Sequence, residues 1–110
     1  LVAQKQRREN MHLAERLQVM LDVAGAINYM HSNSIIYRDL KPENVGFDLN
    51  GHVKIFDFGL AKELCDNDMA KDGTYHLTTN TGSRRYMAPE IAKNLPYNQF
   101  ADVYSFGIVL

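Results

Sequence analysis

The chain has 110 residues, 45% of them hydrophobic and 23% charged, with a net charge of −1. This is the composition of a globular unit with one modest core, and its near-neutral balance gives no electrostatic case for binding nucleic acid or an anionic membrane surface. No apolar run reaches the ~18–20 residues of a membrane span, no signal peptide is visible, and the single cysteine, Cys65, excludes an internal disulfide and fits a reducing, cytoplasmic setting.

Residues 1–10 are polar, and the small basic cluster of Lys5, Arg7 and Arg8 reads as a solvated face. From about Asn10 to His31 the apolar residues recur at steps of three and four. Leu13, Leu17, Met20, Leu21, Ala24, Ile27 and Met30 form one stripe, which predicts an amphipathic helix packed on a core and ending near Asn33. His12, His31 and His76 are assigned no catalytic role.

The stretch Ile36-Tyr37-Arg38-Asp39-Leu40-Lys41-Pro42-Glu43-Asn44 is followed by two short alternating runs around Asn50-Gly51, and then by Asp57-Phe58-Gly59. Asn-Gly between such runs predicts a β-hairpin. With Asn50 and Gly51 as a two-residue turn, paired positions sum to 101, and Asn44 and Asp57 fall opposite each other. Their Cα atoms would then lie ~4.5–5.5 Å apart, which brings an amide oxygen and a carboxylate together near Asp39. One carboxylate to orient a hydroxyl, and hard oxygen ligands for Mg²⁺, are what phosphoryl transfer asks of a protein.

From Leu60 to Asn80 no period survives for long and the chain reads as a long polar surface loop, in which residues 63–80 have too little apolar content to order themselves. Thr81-Gly82-Ser83-Arg84-Arg85-Tyr86-Met87-Ala88-Pro89-Glu90 follows. Pro89 suits the first turn of a short helix, and Leu95-Pro96 interrupts it. Asn98 is the expected N-cap of a last helix over residues 100–110, apolar nearly all round and therefore expected to be buried.

Four marks in order, Arg38-Asp39 with Asn44, Asp57-Phe58-Gly59, Ala88-Pro89-Glu90 and Asp102-Val103-Tyr104-Ser105-Phe106-Gly107, resemble the catalytic domain of eukaryotic protein kinases. The resemblance implies an α+β, protein-kinase-like fold. Residues 1–110 would be a partial domain, a mainly helical fragment of the C-terminal lobe with a β-hairpin, and without the small lobe and its Gly-rich loop. It further implies ATP and Mg²⁺ as cofactors, a protein substrate, and an upstream kinase, or the protein itself, acting on the activation loop. Neither a nucleic-acid partner nor a membrane segment in this stretch is implied.

Residue by residue, the resemblance gives Asp39 the substrate hydroxyl and Lys41 the transferring phosphoryl group, while Asn44 and Asp57 hold Mg²⁺. Ser83 contacts Asp39 and Lys41, and Gly59 lets the backbone turn after the metal ligand. Tyr37 stands where His is commonest, and an aromatic ring there still packs in the core; Phe58, like Tyr37, is given a structural role. Glu90 would pair with an Arg outside this sequence, and Asp102 would hydrogen-bond the backbone around Tyr37 and Arg38. An unpaired Arg38, aided by Lys62, would bind a phosphate carried by Thr79, with Thr78 and Thr81 as alternatives. Lys41 within Leu40-Lys41-Pro42-Glu43-Asn44 resembles the serine/threonine type. The last helix resembles the tyrosine-kinase-like group, and Tyr37-Arg38-Asp39 the cyclic-nucleotide-dependent group. Gly46 departs from the family, which has Leu there beneath the adenine ring. The rival readings are a pseudokinase that serves as a scaffold or binding module, and a truncated, inactive product.

Overall fold

The computed structural model describes residues 12–78 and 82–110. The basic cluster at Lys5, Arg7 and Arg8, and the two threonines Thr79 and Thr81, lie outside the described residues. Helix α1 spans Leu13–Ser32. It stops at Asn33, whose side-chain amide donates to the Tyr29 carbonyl at 2.8 Å, and Ser34 reverses the chain with a φ of 59°. The helix buries Val23, Ile27 and Met30, with Val19 packed alongside. This is not the expected stripe throughout. Leu13, Leu17 and Leu21 are exposed, so the core-facing line is rotated toward Val19 and Val23 and only its last turns, at Ile27 and Met30, coincide with the expected one.

Strand β1 (Ile35–Ile36) leads into a loop that ends in the 3₁₀ turn Pro42–Asn44. Strands β2 (Val45–Phe47) and β3 (Val53–Ile55) then pair antiparallel, Val45 opposite Ile55 and Phe47 opposite Val53. Paired positions therefore sum to 100, not 101. The turn holds three residues, because the Asp48 N–H donates to the His52 carbonyl at 2.9 Å and Gly51, at φ 81°, takes the left-handed position. The Asp48 carboxylate fixes this turn by accepting the Asn50 and His52 N–H groups, each at 2.9 Å. The His52 N–H is the main reason that its carboxyl sits below the usual carboxylate range. The position across from Asn44 is Phe56, whose N–H donates to the Asn44 carbonyl at 2.7 Å. Asp57 lies one residue farther on.

Strand β4 (Lys62–Glu63) returns antiparallel to β1, Ile36 opposite Lys62. The segment that follows is anchored, against the expectation of a loop unable to order itself. Leu64 and Tyr75 are buried, Leu77 packs on the same cluster, and Tyr75 exchanges two backbone hydrogen bonds with Tyr97, at 2.8 and 3.0 Å. Leu64, Tyr75 and Leu77 suffice because they pack on a cluster shared with Ile36, Ile91, Tyr97 and Ala101. Helix α2 is the short Pro89–Ala92 turn, with Pro at its start. Helix α3 spans Phe100–Val109, and the Asn98 side chain accepts the Phe100 N–H at 3.0 Å. Helix α3 is not buried all round. Ala101, Asp102 and Ser105 are buried, whereas Phe100, Val103, Tyr104 and Ile108 are exposed.

The described residues form two apolar clusters, and the neighbours Ile36 and Tyr37 stand in different ones. Ile36 belongs to the cluster of Leu64, Tyr75, Ile91 and Tyr97, and Tyr37 to that of Val23, Ile27, Leu40 and Val45. The loop that carries Asp39 therefore leaves a point anchored on both sides.

Candidate active site

The loop from Tyr37 to Asn44 is held by a carboxylate from the far end of the chain. Asp102, 1% exposed, accepts the Tyr37 N–H on Oδ2 and the Arg38 N–H on Oδ1, both at 2.8 Å. The amides of buried Tyr37 and half-buried Arg38 are satisfied at once, and Arg38 is kept in a left-handed conformation, φ 68°, that a non-glycine residue adopts only when its surroundings hold it there. His31, at the end of α1, brings Nε2 to 2.8 Å from Asp102 Oδ2. Sequence reasoning set His31 aside. The available signal was its position four residues after buried Ile27, on the helix face that enters the core.

Asp39, Asn44, Lys41 and Ser83 come together. Asn44 Nδ2 donates to the Asp39 carbonyl at 2.7 Å and to its carboxylate at 3.0 Å, while Lys41 Nζ lies 3.7 Å from Asp39 Oδ1 and 3.1 Å from Ser83 Oγ. Gly82 makes that approach possible. It sits at φ 85°, and a Cβ there would stand 2.7 Å from the Arg38 carbonyl oxygen.

Asp57 is held from both sides by one side chain. The Tyr37 hydroxyl donates to the carbonyl of Phe56, just before Asp57, and the Tyr37 ring meets Phe58, just after it, edge-on at 5.6 Å. Burial pushes the Tyr37 phenol well above the ordinary tyrosine value, and the charges of Asp39 and Asp57 add to the shift. Asp57 itself takes the positive φ, 60°, and its Oδ1 accepts the Gly59 N–H at 3.1 Å. The turn expected of Gly59 is thus made two residues earlier, at Asp57, whose side chain accepts the Gly59 N–H.

The oxygen donors suit a hard cation. With Asn44 Nδ2 committed to Asp39, its Oδ1 is the acceptor left on that amide, and Asp57 retains a second carboxylate oxygen. Among the described residues no group of three or more His, Cys, Asp or Glu could hold a metal. A cation here would draw its other ligands from phosphate and water, as Mg²⁺ does, and not from a protein cage.

The remaining predicted residues are farther from this cluster or differently engaged. Arg38 is not unpaired: Nε donates to the Leu60 carbonyl at 2.7 Å, and an Nη donates to the Tyr97 hydroxyl at 3.3 Å. Both acceptors are neutral, and among the described residues no carboxylate pairs with this guanidinium. Lys62 is exposed on β4, and Thr78 is exposed while its carbonyl accepts the Tyr97 hydroxyl at 2.5 Å. Glu90 lies in α2, half-buried. Gly46 is buried on β2 opposite Lys54.

The family described as protein kinase domain matches residues 1–110. The chain is 47% identical over 89 residues to the cAMP-dependent protein kinase type 3 of Saccharomyces cerevisiae, an overlap of 81% of this chain and 20% of that protein. It is 43% identical over 94 residues to the serine/threonine-protein kinase STY17 of Arabidopsis thaliana, covering 86% of this chain and 15% of the relative. The serine/threonine-protein kinase Sgk2 of Rattus norvegicus is 42% identical over 107 residues, 94% of this chain and 27% of the relative. The chain thus spans about a fifth of the length of these relatives, and they do not single out the tyrosine-kinase-like group. With its helices, its small antiparallel sheets and a match over its full length, the chain belongs to the protein kinase domain family.

Proposed function

We propose that the protein carrying this chain is a serine/threonine kinase that transfers the γ-phosphoryl group of Mg-ATP to a hydroxyl of a protein substrate. Residues 1–110 would contribute to its large lobe the loop and hairpin that face the phosphates. The observation that carries the reading is the convergence of Asn44 and Lys41 on Asp39, with Ser83 held by Lys41. Asp39 Oδ2 is fixed by the Asn44 amide, which leaves the carboxylate to orient the incoming hydroxyl and accept its proton. Its basicity need not be raised, because phosphoryl transfer rests on positioning and charge stabilisation. Lys41 supplies a positive charge 3.7 Å from that carboxylate, placed to offset charge on the transferring group. Asn44 and Asp57 would hold Mg²⁺, which neutralises charge on the phosphates when bound. Tyr37 keeps Asp57 in register with Asp39. Arg38 would receive a phosphate on Thr78, Thr79 or Thr81, and the free Cys65 thiol supports a reducing, cytoplasmic setting. No helix among the described residues is long and apolar enough to cross a membrane.

Gly46, buried without a side chain to offer an adenine ring, is the observation that favours the rival reading of a pseudokinase. One experiment separates the two. Full-length protein is tested for peptide phosphorylation with Mg-ATP beside its Asp39→Asn and Asp57→Asn variants, and nucleotide binding is measured in parallel. A kinase loses turnover in both variants and keeps nucleotide binding in Asp39→Asn. Parental turnover in the Asp39 variant would refute the assigned role, and a parent that binds but never phosphorylates would establish the scaffold.

A further inference from the structure

We propose that Tyr97 is a positioning residue, whose hydroxyl ties Arg38 to the segment before Thr79 while that segment carries no phosphate. Its catalytic consequence rests on the kinase reading above; the tie itself does not. The geometry is a directed chain. An Arg38 Nη donates to the Tyr97 hydroxyl at 3.3 Å, and that hydroxyl donates to the Thr78 carbonyl at 2.5 Å. A phenol that accepts from a cation and donates onward is polarised in a single direction, which strengthens both bonds. Tyr97 is 1% exposed, so its hydroxyl depends on these two partners.

The rest of Tyr97 holds the same segment by independent means. Its backbone exchanges two hydrogen bonds with Tyr75, and the neighbouring Asn98 side chain donates to the Gly73 carbonyl at 3.1 Å. Residues 73–78 are thus fastened to residues 97–98 at three points, and the hydroxyl is the one that reaches Arg38. Arg38 in turn directly precedes Asp39 and donates to Leu60, just beyond Asp57-Phe58-Gly59. The phenol therefore connects the segment to both carboxylates of the site.

A phosphate would do the same task differently. It would meet the guanidinium bidentately with a charge, and the neutral phenol would then be dispensable. Tyr97 is accordingly the support of the unphosphorylated state, and its removal should be felt only there.

Tyr97→Phe keeps the ring and the backbone pairing and removes only the hydroxyl. In phosphatase-treated full-length protein, chymotryptic cleavage after Tyr75 or Leu77 should accelerate about tenfold, the scale of a lost hydrogen bond to a charged network. The turnover number should fall by a similar factor with KM for ATP unchanged, and phosphorylation of the segment should restore it. Combined with Arg38→Ala, the variant should lose no more turnover than Arg38→Ala alone. Circular dichroism and the thermal midpoint establish that Tyr97→Phe remains folded. An unchanged cleavage rate, an unchanged turnover number, or a loss that phosphorylation does not restore would overturn the proposal. If the parent phosphorylates no peptide, the kinase reading falls, and the cleavage rate alone decides whether the tie exists.

Discussion

The carboxylate of Asp102 accepts the N–H of Tyr37 at 2.8 Å, 65 positions away in the sequence. With the Arg38 N–H and His31 Nε2 on the same carboxylate, three donors from two elements converge on one nearly inaccessible side chain of α3. The loop that bears Asp39 is shaped less by its own sequence than by this long-range acceptor.

Replacement of Asp102 by Ala should therefore destabilise the protein strongly. Two backbone N–H groups lose their acceptor, one in a fully buried residue and the other in a left-handed one, at about 1–3 kcal/mol each. Asp102→Asn retains one acceptor oxygen and should cost less than Ala while lowering turnover. The thermal midpoint and turnover of both variants, measured on full-length protein, check the order. An Asn variant as unstable as Ala would mean that the charge itself, and not the count of acceptors, holds the loop.

A methyl group added at Gly82 should uncouple Ser83 from the site. It would stand 2.7 Å from the backbone oxygen of Arg38, inside any tolerated contact, and φ at 85° disfavours every residue but glycine. Either the segment or the Asp39 loop must move, and Ser83 would withdraw from Lys41. Gly82→Ala should lower turnover at least about tenfold, in line with the sensitivity of transfer to ångström-scale misplacement, with a small change in thermal midpoint. Undiminished turnover would show that Ser83 is not needed where it lies.

How much of this was legible in the sequence can be followed residue by residue. The helix ending at Asn33, the hairpin and the Pro89 helix start were all written in local signals. The hairpin register was not. Asn50-Gly51 is the strongest two-residue turn signal, but Asp48 can bond two N–H groups with one carboxylate and so stabilises a turn of three. That choice moves Phe56, and not Asp57, opposite Asn44. Period alone could not decide which apolar stripe of α1 faces inward, since leucines and valines lie on adjacent faces and the contacts of Val23 are set by distant residues. The neutral partners of Arg38 depend on Leu60 and Tyr97, whose approach no local pattern encodes.

Alkaline stability should carry the signature of Tyr37. Its folded phenol is harder to ionise than an ordinary tyrosine, first because it is buried and second because Asp39 and Asp57 lie near it. The sign follows from linkage. The contribution is complete below the ordinary value of about 10, and it is lost as pH rises from there toward the raised folded value, because the unfolded chain releases the proton first. The thermal midpoint of the parent should fall more steeply above about pH 10 than that of Tyr37→Phe, which has no such proton to lose. Parallel slopes for the two proteins would show that the hydroxyl ionises as freely in the folded state as in the unfolded chain.

The phosphate switch should remain, but as an exchange of partners and not as the filling of an empty pocket. Arg38 already meets the Leu60 carbonyl and the Tyr97 hydroxyl, so an arriving phosphate must win the guanidinium from neutral acceptors. It can do so because it carries about −1.5 to −2 charges and three acceptor oxygens, and charge-assisted bonds are roughly twice as strong as neutral ones. The gain is then the difference between the two kinds of partner, which predicts a graded activation and a measurable basal turnover. Phosphatase treatment of the full-length protein should lower turnover without abolishing it. Changing Thr78, Thr79 and Thr81 together to Ala should reproduce that lowered level and make turnover indifferent to phosphatase. Arg38→Ala should likewise remove the response to phosphatase, at a turnover no higher than the dephosphorylated parent's, because it loses the neutral partners as well as the charged one. Equal turnover in the parent before and after treatment, and in the triple variant, would leave Arg38 with its neutral partners alone and remove the switch.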